Sequence, residues 1–139
     1  MRVFADTSGL FAAVVRNDGE HPRARLVMER LLQQGAEIHT TSYVLLETLA
    51  LLHSRVGREA AAEFDRILRP LLRVRWVDEA LHARASRRFE SHSDAKVSLV
   101  DCASFTAMED EGLGACFGFD GHFTREGFRL LSAGEDLTA

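Results

Sequence analysis

The stretch Arg2-Val3-Phe4-Ala5-Asp6-Thr7-Ser8-Gly9 stands at the start of the chain, and its reading decides the fold. Arg2–Ala5 is a short, largely apolar run, too short for a helix, and predicts a buried strand. Asp6-Thr7-Ser8-Gly9 is turn and helix-capping chemistry, and Leu10–Val15 predicts a short helix behind it. Asn17-Asp18-Gly19 is a turn, and Pro22 suits the first turn of a helix, where its missing N–H costs nothing. Leu26, Val27, Leu31 and Leu32 repeat at helical spacing up to Gly35, and Glu37–Thr40 predicts a second strand. Thr41 or Ser42 caps a third helix reaching His53 or Arg55; Gly57 separates it from a helix over Arg58–Arg69, followed by Pro70. Leu72–Val77 alternates, with Val74 and Trp76 facing one way and Arg73 and Arg75 the other, which predicts an edge strand. Helices are predicted over Glu79–Glu90 and Ser98–Glu111, and strands over Ala115–Phe119 and Phe128–Leu131. Strands alternating with helices throughout imply a parallel sheet covered on both faces, an α/β/α sandwich. Ligands then belong beyond the carboxyl ends of the strands.

The 139 residues suit one domain, read as Met1–Leu131 with a polar tail, Ser132–Ala139. Hydrophobic residues are 46% and charged residues 27%, the balance of a globular protein rather than a disordered one. The net charge of −4 excludes an overall basic coat for nucleic acid but not a local basic patch. Cys102 and Cys116 are too few for a disulfide framework and read as reduced thiols. No run approaches the roughly 18 apolar residues of a membrane span, and the expectation is a cytoplasmic protein.

Four acids carry the chemistry. Asp6 and Asp120 each follow an apolar strand, which puts them at the ligand edge; each also reads as a cap. Asp101 lies three residues after Ser98, the pattern of a capping box at a helix start, which still allows its carboxylate to face a crevice. Glu47 sits in Tyr43-Val44-Leu45-Leu46-Glu47-Thr48-Leu49-Ala50-Leu51-Leu52, apolar on nearly every side. That pattern reads as a buried helix, in which a carboxylate needs a cation or several hydrogen bonds. Carboxylates converging on one crevice repel unless a divalent cation neutralises them. Oxygen donors without a Cys/His cluster favour Mg²⁺ or Mn²⁺ over Zn²⁺. Such sites act on phosphodiesters, with the metal activating water and stabilising phosphoryl charge.

Asp6-Thr7-Ser8 after the first strand, Glu47 in an apolar helix, Ser98-x-x-Asp101 and Phe119-Asp120-x-x-Phe123 together resemble the PIN-domain nucleases, and among them the VapC-type toxin ribonucleases of toxin–antitoxin pairs. The resemblance spans Arg2–Leu131. It implies a five-stranded parallel sheet in the order 3-2-1-4-5, and Mg²⁺ or Mn²⁺ held by Asp6, Glu47, Asp101 and Asp120. It also implies cleavage of RNA, a homodimer and a cognate antitoxin. The chain departs from the family at Gly118, where Thr or Ser is frequent, and at His122, where some members carry another acid. Thr7, Ser8 and Ser98 are candidates to support the site. His122 is a candidate for RNA contact or proton transfer. Arg87 and Arg88, in the basic stretch His82, Arg84, Arg87, Arg88, His92 and Lys96, are candidates to hold phosphates beside the acids. Other readings remain at this point: a PIN nuclease that processes RNA without a toxin role, an inactive RNA- or protein-binding module, and a phosphatase with Asp6 as nucleophile. Against the last, Ser8 occupies the second position of the Asp-x-Asp spacing that chemistry uses.

Overall fold

The computed structural model of the chain describes residues 1–131; the expected tail, Ser132–Ala139, lies outside the described residues. Strand β1 (Arg2–Ala5) is the middle of a five-stranded sheet with the order β3-β2-β1-β4-β5, and every pairing is parallel. The other strands are β2 (Glu37–Thr41), β3 (Leu72–Arg75), β4 (Ala115–Phe117) and β5 (Arg129–Leu130). In β1, Phe4 stands opposite His39 on one side and Cys116 on the other.

Helices α1 (Thr7–Val14), α2 (His21–Gln33), α3 (Ser42–Arg55) and α4 (Arg58–Glu63) join β1, β2 and β3. Helices α5 (Glu79–Ser91) and α6 (Leu99–Glu111) lead from β3 to β4, and α7 (His122–Arg125) leads to β5. Right-handed crossovers place α1–α4 over one face and α5–α7 over the other. The chain therefore turns to opposite faces after β1 and after β4, which are neighbours. A crevice opens at that reversal of direction, beyond the carboxyl ends of the strands.

The core is aromatic and aliphatic. Phe4, Phe105, Phe117 and Phe123 are fully buried, with Phe105 and Phe123 edge to face at 5.0 Å. Gly9 lets α1 press onto the end of β4: a Cβ there would stand 2.4 Å from the Phe117 carbonyl oxygen. Pro22 lies in the first turn of α2, and Thr41 caps α3 by accepting from the Val44 N–H.

The structure corrects several expected boundaries. Helix α1 begins at Thr7, because Asp6 itself caps it. Strand β4 ends at Phe117, two residues short of Phe119, where Gly118 leads the chain away. Strand β3 ends at Arg75, and the Val77 N–H donates to Ser42 Oγ at 2.8 Å; Trp76 projects into solvent instead of sharing a covered face with Val74. The helix expected over Arg58–Arg69 tightens and loosens along its course: α4 passes into a π-helical turn (Phe64–Leu68) and a 3₁₀ turn (Arg69–Leu71) that contains Pro70. Helix α3 is not buried all round: Leu46 is 67% exposed. Its outer apolar face belongs to the protein surface.

Candidate active site

Asp6 is the residue after β1. Its backbone N–H donates to the Phe117 carbonyl, continuing the ladder by one bond, and its side chain caps α1. Ser8 Oγ donates to Asp6 Oδ2 at 2.8 Å and accepts from the Phe119 N–H at 2.9 Å, tying β1 to the segment after β4. Ser8 also accounts for Gly118: a Cβ at that position would lie 3.0 Å from Ser8 Oγ and 3.1 Å from Asp6 Cβ.

Asp101 forms the capping box with Ser98. The Ser98 N–H donates to Asp101 Oδ2, and the Asp101 N–H to Ser98 Oγ, both at 3.0 Å. Asp120 lies beyond β4 and accepts from the His122 N–H at 2.9 Å. Glu47 comes from α3 and is half-buried, so its carboxylate reaches water and does not need the compensation a buried helix would require.

All four acids line one open cleft of about 400 Å³, together with Thr7, Ser8, Phe11, Ser98, Phe119 and Arg55. Burial pushes the Asp6 carboxyl up to about 7; the Asp101 charge adds to this, and the Ser8 hydrogen bond opposes it. Asp101 is also raised, again by burial first, with the Asp120 charge contributing. Thr7 Oγ1 is buried without a hydrogen-bond partner. His122 adjoins the cleft: one ligand atom each from Asp101, Asp120 and His122 falls within a span of 4.8 Å. Carboxylates gathered in one cleft, with Asp6 and Asp101 raised by burial, fit a hard divalent cation.

The expected basic flank lies elsewhere. Arg84 makes a two-pronged bond to Asp110, Arg88 pairs with Glu109 and Glu126, and His92 meets Glu126. Arg87 is exposed and does not line the cleft; neither does Arg88. Acids of α6 and Glu126, just after α7, take up Arg84 and Arg88 of α5, a pairing between elements that is invisible in the local sequence. Among the described residues, the cation that does line the cleft is Arg55, whose guanidinium carbon sits 5.6 Å from the centre of the Phe11 ring. The signal for it was available: Glu47, Leu51 and Arg55 are spaced i, i+4, i+8 on one face of α3.

Residues 3–128 match the family model of the PIN domain. The chain is 32% identical over 127 residues to the 23S rRNA-specific endonuclease VapC20 of Mycobacterium tuberculosis, covering 91% of this chain and 95% of that protein. The crystal structure of VapC20, a sarcin–ricin loop cleaving toxin, is similar with a TM-score of 0.82 and 31% identity over 94% of this chain and 98% of that one. VapBC2 from Rickettsia felis, bound to a DNA fragment from its promoter, has a TM-score of 0.69 at 14% identity, covering 94% and 98%, and shows the fold alone. With the family model matched from β1 to the residue before β5 and a VapC endonuclease aligned along nearly the whole length, the chain belongs to the PIN domain family, as an endonuclease of the VapC type.

Proposed function

We propose that the cleft is the active site of an endoribonuclease dependent on Mg²⁺ or Mn²⁺, within a single domain over residues 1–131. The observation that carries this reading is the convergence of Asp6, Glu47, Asp101 and Asp120 from four separate segments, with burial holding Asp6 near neutrality. A divalent cation bound there supplies a Lewis acid that activates water and neutralises charge developing on the phosphate.

The chain's own groups do the rest. Ser8 and the capping box each occupy Oδ2 of an aspartate, at Asp6 and Asp101, which orients these carboxylates and leaves the Oδ1 atoms for a ligand. Arg55 meets the phosphate of the bound strand, which positions the RNA without reading its sequence. Phe11 and Phe119 offer ring faces to bases unstacked from a loop, the usual mode of RNA recognition.

The similarity to VapC20 supports a ribosomal substrate, in the sarcin–ricin loop of the large-subunit RNA, and a toxin role in the cytoplasm. No described helix is long and apolar enough to cross a membrane. A cognate antitoxin is supported by the groove that continues from the cleft through Phe11 and Arg55 to Val56, Phe64 and Ile67. An arginine from such a partner would satisfy the acids much as a cation does. The exposed apolar residues Leu32, Leu46 and Val56 support a homodimer with C2 symmetry. Incubating the purified protein with ribosomal RNA and mapping new ends by primer extension tests the substrate. One discrete cut in the sarcin–ricin loop is expected; an intact loop with cuts elsewhere would overturn the ribosomal assignment.

A further inference from the structure

His122 occupies the position where some members of the family carry another acid, and its ring lies between carboxylates at both ends. On one side Nε2 lies 3.4 Å from Asp94 Oδ2. On the other, Nδ1 lies 2.8 Å from Asp120 Oδ1 and 3.9 Å from Asp101 Oδ2. Yet Nδ1 is a buried nitrogen with no hydrogen bond: the close approach to Asp120 lacks the direction of an N–H···O contact. Asp120 Oδ1 is already engaged by the backbone N–H of His122 itself. Nδ1 therefore stands beside two carboxylates without a hydrogen bond to either. One ligand atom from each of Asp101, Asp120 and His122 lies within 4.8 Å of the others, close enough for a single cation to engage all three.

Ligating histidines commonly place one ring nitrogen on the metal and give the other N–H to a carboxylate that fixes the tautomer, and Asp94 is the carboxylate beside Nε2. We propose that His122 Nδ1 is a ligand of the cation held by Asp101 and Asp120, with Asp94 as the positioning residue, so that the site takes Mn²⁺ in preference to Mg²⁺. The inference rests on the carboxylate cleft being a metal site and adds the donor set and the metal selectivity. Both ions accept carboxylates, but Mn²⁺ gives up water for an imidazole nitrogen more readily than Mg²⁺, which dehydrates reluctantly and retains its waters. An acid at position 122 would make the set all-oxygen and remove that preference.

Pulsed electron paramagnetic resonance of the full chain loaded with Mn²⁺ alone tests this directly. The expected spectrum shows modulation from a directly coordinated nitrogen. His122→Gln abolishes it and weakens Mn²⁺ binding about tenfold or more, with a much smaller effect on Mg²⁺ by calorimetry. Asp94→Asn weakens Mn²⁺ binding by roughly 10-fold, on the scale of lost partners of ligating histidines. The wild-type spectrum needs no variant, so the test stands even where a substitution disturbs folding. Bound Mn²⁺ with no nitrogen modulation overturns the His122 assignment and leaves the carboxylate site intact. Failure to bind Mn²⁺ at all overturns the metal site itself.

Discussion

Asp101 opens helix α6 and Asp110 stands in its last turn, and the two carboxylates meet opposite surroundings. Asp110 is on the unfavourable end of the helix dipole, but Arg84 grips it with two bonds of 2.8 Å and Arg75 adds a third at 3.0 Å. These arginines hold its carboxyl down at about 2. Asp101 has the favourable end of the dipole and a capping box. Burial nevertheless raises it, and its neighbour Asp6 is raised further. The chain supplies guanidinium groups where an acid has only a structural task. In the cleft it gathers six acids, Asp6, Asp18, Glu20, Glu47, Asp101 and Asp120, around a single lining arginine. The balancing charge there has to come from outside the chain.

Exchanging one acid from each setting for its amide separates the two settings most forcefully. Asp6→Asn should reduce RNA cleavage by about a hundredfold or more, the scale of losing one group that stabilises transition-state charge. Asp110→Asn should leave the rate at the wild-type level in the same gel assay. A smaller effect is expected at Arg55. Arg55→Ala should weaken RNA binding at low salt and lower the slope of log affinity against log salt by about one, as expected for one lost phosphate contact. Fluorescence anisotropy over a salt series measures that slope.

Stability sharpens the contrast further. The Asp6 carboxyl is raised from 3.8 to about 7 in the folded chain, so ionising it opposes folding. The unfolded chain loses this proton first, so the cost is absent below about pH 4, grows as pH rises through the window, and is complete above about 7. Asp6→Asn removes the cost while keeping an equally good helix cap. The metal-free variant should therefore melt several degrees above wild type at pH 8 and coincide with it near pH 4, by scanning calorimetry. The smallest effect belongs to the exposed network. Asp110→Asn should lower the melting temperature slightly at low salt and not at all at high salt.

Much of this architecture is legible in local sequence. Short apolar runs that end in Asp6 and in Phe119-Asp120, Pro22 in a first turn, Thr41 as a cap and the Ser98–Asp101 box each specify an element through neighbours a few residues away. Helix α3 marks where that reading stops. Leu46 looks like core by composition, yet it is on the surface, because an apolar side chain reads the same whether the covering partner is the chain's own sheet or another chain. Arg87 and Arg88 failed for a related reason: the acids that occupy Arg88, Glu109 and Glu126, come from other elements, and no local pattern joins them. His122 was legible as a departure from the family pattern. What its two nitrogens face depends on Asp94, which lies 28 positions earlier in the sequence.

The central claim, that the cleft cleaves RNA only with a divalent cation among its carboxylates, is tested most directly by following one reaction through chelation and restoration. Purified protein is assayed on ribosomal RNA, then with excess EDTA, then with Mn²⁺ added back beyond the chelator. Cleavage should fall to background with EDTA and return with the same cut site on restoration. Undiminished cleavage in EDTA would contradict the account.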